Sequence, residues 1–276
     1  MLKQRTLTAL ILAPLAIAII LFLPTAAVGV IIAAMCLQAL WEWTRLSGFR
    51  SRPLRAGIVI ANAVALALLW LIRDQPAAWW VVGCGVVGWG LAMLWLRDLS
   101  FAAAPTRENA ALKLAAAELA VLPAWLALMM LHAEPLQGHV WALFILLLIW
   151  MADTAAYFTG KRYGTTKLAP RISPNKTRAG AWGALIGGAV LAAVAGWLLD
   201  VRGIALVALI GLALLTVAAS IVGDLIESLL KRQANVKDSG TLFPGHGGLL
   251  DRLDSLFAAI PVFVAGKALL DLVIGL

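Results

Sequence analysis

The sequence predicts an all-α, polytopic integral membrane protein with about nine transmembrane helices. Of its 276 residues, 63% are hydrophobic and 13% are charged, and the mean hydropathy is +0.95. An average soluble domain is about half apolar and about a quarter charged, so this composition excludes a soluble globular protein and a disordered one. A membrane-spanning helix needs about 20 residues, and the length therefore leaves little room for a soluble domain.

Polar breaks divide the sequence into nine apolar segments, each able to form a helix that crosses a bilayer. The first segment follows Lys3 and Arg5, as in a signal peptide, but its apolar run is too long for one, so we interpret it as a span. The predicted helices, in order, cover residues 6–23, 25–46, 56–72, 77–96, 114–132, 138–158, 181–200, 204–230 and 250–275.

The 22 Lys and Arg residues are distributed unevenly between the two sides that these helices define. Only Arg73 and Arg202 lie in loops of one side, and Lys267 lies within the last helix, whereas all the others lie on the opposite side. Because cytoplasmic loops collect Lys and Arg, we expect the N-terminus in the cytoplasm and the C-terminus outside. The net charge of +8 has the same origin in this interpretation, so we expect no nucleic-acid partner.

The sequence divides into two regions of different character. Residues 1–135 carry the N-terminal helices with short connections, and we expect packing and lipid contact there. Residues 136–276 carry the two longest polar stretches, residues 160–180 and 231–252, which are cytoplasmic in the predicted topology. A protein that only packs helices has little use for such loops, so we expect the catalytic region here.

A polar stripe lies at the end of the eighth predicted helix. Asp224, Glu227, Ser228 and Lys231 are spaced i, i+3, i+4 and i+7, which places them on one face of a helix. Carboxylates near lipid are costly and usually face a polar interior. The stripe is therefore either a site for charged ligands or a solvated helix end with an internal ion pair.

A glycine-rich loop and an acidic helix start follow this stripe. Glycines surround His246, so the backbone of Gly247 and Gly248 can approach a ligand closely and can cradle a phosphate with its N–H groups. Asp251 and Asp254 follow at the start of the last predicted helix, where they serve either as helix caps or as metal ligands. Together with the stripe they offer oxygen ligands for Mg²⁺, and nearby basic residues neutralise phosphate charge, as phosphoryl or nucleotidyl transfer requires.

Two blocks of residues carry a resemblance to a known family. The first block runs from Ser228 to Asp254 and matches the family signature without a departure. The second joins Asp153, at the end of the sixth predicted helix, to the loop from Ser173 to Thr177, and it departs from the pattern at Ala155 and at residues 178–179. In both blocks the chain resembles the phosphatidate cytidylyltransferases, or CDP-diacylglycerol synthases, which are polytopic membrane enzymes with their signature near the C-terminus.

The resemblance implies the reaction of CTP with phosphatidate, which gives CDP-diacylglycerol and pyrophosphate. A phosphate oxygen of the lipid would attack the α-phosphorus of CTP in line, with Mg²⁺ as cofactor. We expect Asp224 and Asp251 as the leading magnesium ligands, with Glu227 and Asp254 as further ligands. The expected catalytic residues are Lys231, Lys237, Asp238, His246 and Arg252. The four basic side chains among them would hold phosphates and leaving-group charge, whereas Asp238 is a further candidate for the magnesium. The expected substrate-binding residues are Ser173, Lys176, Thr177, Ser228, Arg232, Gly247 and Gly248.

Several assignments stay open at this point. The basic loop at 160–180 is either a mobile strap that closes over CTP or ordinary cytoplasmic charge. Glu42, one helical turn from Gln38 in the second predicted helix, and Glu118 in the fifth either serve the site or hydrogen-bond between helices. A second, monovalent cation and a homodimer also stay open.

Two other functions fit the sequence less well. A CDP-alcohol phosphotransferase also handles lipid nucleotides, but its Asp-Gly-x-x-Ala-Arg motif is absent from the sequence. A transporter tends to carry charges near mid-membrane in broken helices, whereas the acidic residues here gather at the predicted cytoplasmic edge. We therefore expect an enzyme of a bacterial-type inner membrane, with phosphatidate, CTP and the lipid bilayer as partners and its active site on the cytoplasmic side.

Overall fold

The computed structural model describes residues 2–135, 137–242 and 247–274, and it describes side chains from residue 12 onward. This part of the chain contains nine α-helices and one two-stranded β-sheet. The helices are α1 (Leu2–Phe22), α2 (Thr25–Leu46), α3 (Arg52–Ile72), α4 (Ala77–Trp95), α5 (Arg107–His132), α6 (Gly138–Tyr163), α7 (Arg178–Leu198), α8 (Gly203–Gln233) and α9 (Leu250–Ile274). The strands β1 (Lys167–Ala169) and β2 (Ser173–Thr177) lie between α6 and α7.

Helices α2 to α9, eight of the nine that are described, are each long and apolar enough to cross a membrane. They confirm the predicted class, an all-α polytopic integral membrane protein. In α1, the residues whose side chains are described form a shorter apolar segment, Leu12–Phe22. The role of α1 as a ninth span therefore stays a prediction, as do the sides of the membrane on which the termini lie.

Among the described helices, α5 and α6 extend furthest beyond the apolar segments that predicted them. Helix α5 begins at Arg107, because the Thr106 hydroxyl accepts a hydrogen bond from the backbone N–H of Asn109 at 3.2 Å and caps the helix. Helix α6 continues to Tyr163 through a polar last turn. The predicted helix ends were drawn from apolar residues, and these two terminal turns are polar. The predicted start of α5 and the predicted end of α6 therefore lie inside the observed helices.

The segment between α6 and α7, which the sequence predicted as a basic loop, forms an antiparallel hairpin. Its register places Lys167 opposite Thr177 and Ala169 opposite Ser173, with an irregularity between the two pairs. The Thr177 hydroxyl accepts a hydrogen bond from the backbone N–H of Gly180 at 3.1 Å and caps α7. The basic segment is therefore a paired hairpin that leads directly into the next helix.

Small residues let α7 approach α6 closely. A Cβ atom on Gly187 would lie 2.7 Å from the Cβ atom of Ala155, and a Cβ atom on Gly183 would overlap the side chain of Thr159. The family pattern has glycine where this chain has Ala155, and alanine fits there because Gly187 of the neighbouring helix faces it.

Helix α9 lies at the centre of the bundle, where it packs against α2, α4, α5, α6 and α8. Its crossing with α8 is close at Gly223, since a Cβ atom there would lie 2.5 Å from the backbone carbonyl oxygen of Asp254. The start of α9 is therefore held by helices from both regions of the sequence.

Large apolar side chains such as Leu71, Trp80 and Trp182 are exposed on the outside of the bundle, as contact with lipid requires.

Candidate active site

A polar cavity of about 370 Å³ lies between α6, α8 and α9, at the end of α8 and the start of α9. Its described wall contains four carboxylates and two basic side chains. The lining residues are Ile149, Trp150, Asp153, Asp224, Lys231, Asp251, Arg252, Asp254, Ser255 and Leu256. Charged residues from the polar stripe and from the acidic helix start therefore meet in one place, as the sequence predicted.

Three of the carboxylates come from three different helices. Asp153 lies on α6, Asp224 on α8 and Asp254 on α9. The close crossing of α8 and α9 at Gly223 brings Asp224 and Asp254 to the same depth. The Ser228 hydroxyl donates a hydrogen bond to Asp224 Oδ1 at 3.3 Å, so this serine orients a carboxylate of the wall.

Lys231 bridges two carboxylates at the edge of the cavity. Its Nζ atom lies 2.5 Å from Glu227 Oε2 and 2.6 Å from Asp251 Oδ1. The Glu227 side chain is 1% exposed and does not belong to the described cavity wall. The four carboxylates predicted as metal ligands therefore differ in their contacts: Asp224 and Asp254 line the cavity, whereas Glu227 and Asp251 hold Lys231, and Asp251 lines the cavity as well.

Asp251 also closes the loop that precedes α9. Its Oδ2 atom accepts hydrogen bonds from the N–H and the hydroxyl of Ser239, at 2.9 and 2.8 Å, and from the N–H of Gly248 at 2.8 Å. The neighbouring Gly247 has a φ of +85°, which favours glycine. With Lys231 on its other oxygen, Asp251 has the contacts of a helix-start cap, which was one of its two predicted roles.

The hairpin reaches the cavity through Lys176 of β2. The Lys176 ammonium group forms an ion pair with Asp224 Oδ2. Arg232 of α8 donates a hydrogen bond from Nε to the carbonyl oxygen of Ile172 at 3.1 Å, so it anchors the hairpin to α8. Ser173 lies in the strand pairing and is not part of the described cavity wall. Among the predicted CTP-binding residues of this segment, Lys176 is therefore the one whose contacts lead into the site.

Three of the predicted catalytic residues, Lys237, Asp238 and His246, belong to the loop before α9. Lys237 and Asp238 are exposed and lie off the described cavity wall. His246 lies outside the described residues, so its catalytic role stays a prediction. Arg252, in the first turn of α9, does line the cavity, and it adds positive charge beside the acidic residues.

The donor set of the wall suits a divalent cation that is held together with substrate. Among the residues whose placement is described, no three Asp, Glu, His or Cys side chains form a ready-made metal cage. Mg²⁺ in enzymes of phosphate chemistry usually takes one or two carboxylates plus substrate phosphates, and it prefers oxygen ligands. Asp224 and Asp254, on neighbouring helices and on one cavity wall, fit that requirement.

Two carboxylates occupy places for which the sequence gave no firm role. Asp153 shares the cavity wall with Asp224 and Asp254. Its position at the end of the sixth predicted span, at the same membrane edge as the acidic stripe, is the signal that identifies it. Glu42 of α2 is 4% exposed and accepts a hydrogen bond from the backbone N–H of Leu249, just before α9.

The helices and the cavity together define an integral membrane protein with a polar site suited to phosphate groups. Comparison with known proteins gives the family. The chain belongs to the cytidylyltransferase family, whose sequence model matches residues 3–269. It is therefore an enzyme that transfers cytidylyl groups, and the family resemblance found in the sequence is confirmed.

Curated relatives from several bacteria are similar over nearly the whole chain. The phosphatidate cytidylyltransferase of Pseudomonas aeruginosa is 40% identical over 270 residues, which cover 96% of each chain. The phosphatidate cytidylyltransferase of Haemophilus influenzae is 35% identical over 285 residues, which cover 95% of this chain and 97% of the relative. The enzyme of the same name from Staphylococcus saprophyticus is 33% identical over 264 residues, which cover 94% and 96%.

Proposed function

We propose that the protein condenses CTP with phosphatidate to give CDP-diacylglycerol and pyrophosphate. The observation that carries this proposal is the convergence of the signature residues of α8 and α9 on one cavity that contains both carboxylates and basic groups. The cavity lies within a bundle of apolar spans, so a lipid phosphate can reach it while the acyl chains stay in the bilayer. The relatives from Pseudomonas aeruginosa and Haemophilus influenzae are named phosphatidate cytidylyltransferases, which supports the same substrates.

The reaction exchanges one phosphorus–oxygen bond for another. An oxygen of the phosphatidate phosphate forms a bond to the α-phosphorus of CTP, and the bond from that phosphorus to pyrophosphate breaks. The attacking oxygen is already anionic, so no covalent enzyme intermediate is needed. The protein has to align two polyanions and offset their repulsion.

The basic residues of the site supply fixed positive charge for this task. Lys231 and Arg252 lie on the cavity wall, and Lys231 is held in place by Glu227 and Asp251. Lys176, on the hairpin, can contact phosphates that enter beside Asp224. Fixed charges that point to where negative charge develops stabilise a transition state without reorganisation.

Mg²⁺ completes the proposal, with Asp224 and Asp254 as the residues that would hold it and Asp153 as the third carboxylate on the same wall. When bound, the ion supplies Lewis-acid stabilisation of phosphate charge. In this proposal Glu227 and Asp251 act by holding Lys231 in place, and Asp251 also holds the loop before α9.

We place the cavity on the cytoplasmic side of a bacterial inner membrane, where CTP is available. The uneven distribution of Lys and Arg supports this orientation. In a variant with Cys36 and Cys84 replaced by serine, Thr165→Cys should react with an impermeant thiol reagent from the cytoplasmic side, and Asp74→Cys from the opposite side. Labelling of both positions from one side would mean that a span has been miscounted.

The activity is tested by measuring pyrophosphate release from CTP by the purified protein in detergent–lipid micelles. Phosphatidate should support release, whereas diacylglycerol, which lacks the phosphate nucleophile, should not. Glycerol 3-phosphate distinguishes a lipid acceptor from a soluble one. Release that is independent of the acceptor, or an equal rate with glycerol 3-phosphate, would contradict the proposal.

A further inference from the structure

A buried carboxylate of α2, outside the cavity, has four donors within hydrogen-bond distance. Glu42 Oε1 accepts from Gln38 Nε2 at 3.0 Å and from the backbone N–H of Leu249 at 3.1 Å. Its Oε2 accepts from the backbone N–H of Leu250 at 2.8 Å and from the Ser239 hydroxyl at 2.9 Å. Three of these donors belong to the loop and helix start that carry the family signature.

These bonds make Glu42 an external cap for α9. The first N–H groups of a helix have no partner within the helix, and a negative charge near them is favourable. Here the carboxylate comes from a different helix, far away in the sequence, and takes the N–H groups of Leu249 and Leu250. The contact therefore fixes where α9 begins relative to α2.

On both sides of residues 243–246, the described backbone before α9 lies against the Glu42 side chain. A Cβ atom on Gly240 would lie 2.6 Å from Glu42 Oε1, and a Cβ atom on Gly248 would overlap the same carboxylate. Both positions therefore need glycine for close approach of the backbone to Glu42. The two glycines are evidence that is independent of the hydrogen bonds.

Ser239 connects this carboxylate to the cavity. Its hydroxyl lies 2.9 Å from Glu42 Oε2 and 2.8 Å from Asp251 Oδ2, and its single proton can serve one of them at a time. The backbone N–H of Ser239 binds Asp251 as well, at 2.9 Å. Asp251 in turn holds Lys231 at 2.6 Å. Glu42 is thus linked through two side chains to a basic group on the cavity wall.

We propose that Glu42 is a positioning residue, which sets the loop before α9 and, through Ser239 and Asp251, the place of Lys231. It acts through other residues and does not belong to the described cavity wall. The kinetic part of this inference rests on the proposed cytidylyltransfer from CTP to phosphatidate. The structural part of the inference, that Glu42 holds the loop before α9 in place, does not rest on the proposed reaction.

The test is the variant Glu42→Gln. Its amide NH₂ group is a donor, and it would face N–H and hydroxyl donors from which the carboxylate now accepts hydrogen bonds. We expect kcat to fall on the order of 100-fold, since small misplacements of catalytic groups have effects of that size. The KM for CTP should change by less than about threefold, because Glu42 makes no contact with substrate in this account. Glu118→Gln is the matched control on α5, because Glu118 accepts a hydrogen bond from Asn62 of α3 at 3.5 Å and does not belong to the described cavity wall. It should leave both constants near the wild-type values.

Hydrogen–deuterium exchange gives a readout that does not depend on activity. In Glu42→Gln the amides of Leu249 and Leu250 should exchange about tenfold faster, while those in the middle of α5 stay protected. Gly240→Ala should reproduce the kinetic and exchange effects by steric means, and it stands in for Glu42→Gln if that variant does not fold.

Two results would overturn the proposal. Faster exchange with an unchanged kcat would make Glu42 a structural cap without influence on the site. A lower kcat with unchanged exchange would mean that Glu42 does not act through the loop. If the wild-type protein does not turn over CTP and phosphatidate, the proposed function fails, but the exchange experiment still decides whether Glu42 holds the loop.

Discussion

Lys231 and Lys176 both pair with carboxylates at the cavity, but the two lysines are held differently. Lys231 lies on α8 between Glu227 and Asp251, at 2.5 and 2.6 Å, and its side chain is 13% exposed. Lys176 lies on a short hairpin, pairs with Asp224 and is 25% exposed. One lysine is built into the crossing of two long helices, and the other projects from a small attached element.

This difference suggests a division of labour between the helix pair and the hairpin. A charge held by several contacts is preorganised, so it can stabilise negative charge that develops in the transition state. Lys176 pairs with one carboxylate among the described residues, and a charge held in this way can exchange its partner for an incoming phosphate, which favours binding in the ground state. The helix pair therefore carries the chemistry in this account, and the hairpin carries recognition of CTP.

The largest effect is expected at the acidic wall. Asp224→Asn and Asp254→Asn should each lower kcat by on the order of a thousandfold or more, because each removes a charged oxygen from the proposed cation site. Asp200→Asn, a matched change in the loop between α7 and α8, should leave activity near the wild-type rate. A rate above a tenth of wild type in either variant would remove that residue from the proposed ligand set.

A second prediction concerns the stability of the helix pair. Lys231→Met leaves Glu227 and Asp251 without their shared cation, and breaking such a buried pair costs about 3–5 kcal/mol. The double variant Glu227→Gln/Lys231→Met should recover part of this loss, since one of the two carboxylates is then neutral. Thermal unfolding in detergent measures both changes. Equal unfolding temperatures for wild type and Lys231→Met would contradict the structural role of this lysine.

The smallest effect is expected at the helix caps. Thr177→Val and Thr106→Val each remove a capping hydroxyl, so each should lower the free energy of unfolding by about 1 kcal/mol. Neither should change the KM for CTP by more than about twofold if the Thr177 hydroxyl serves only α7. A higher KM in Thr177→Val alone would restore this hydroxyl as a contact with substrate.

The sequence predicted the spans well because each apolar segment reports directly on the bilayer. It missed the hairpin because β1 and β2 have three and five residues, too few for a periodic pattern to appear. It also placed the start of α5 inside the real helix, since the first turns after Thr106 are polar.

The stripe of the eighth predicted helix was correct as a set of neighbours, because helical spacing dictates that Glu227 and Lys231 meet. Which carboxylates face the cavity could not be read from spacing, since that depends on the crossing of α8 and α9 at Gly223. The roles of Asp153 and Glu42 depend on contacts between helices that are remote in the sequence, and no local pattern encodes those contacts.

Steady-state kinetics with CTP varied at saturating phosphatidate test the central claim, the division between hairpin and helix pair. Lys176→Ala should raise the KM for CTP about tenfold with kcat near wild type. Glu227→Gln/Lys231→Met, compared with Glu227→Gln alone, should lower kcat about 100-fold with a small change in KM. The reverse pattern, with kcat lost in Lys176→Ala and only affinity for CTP lost in the Lys231 variant, would contradict the account.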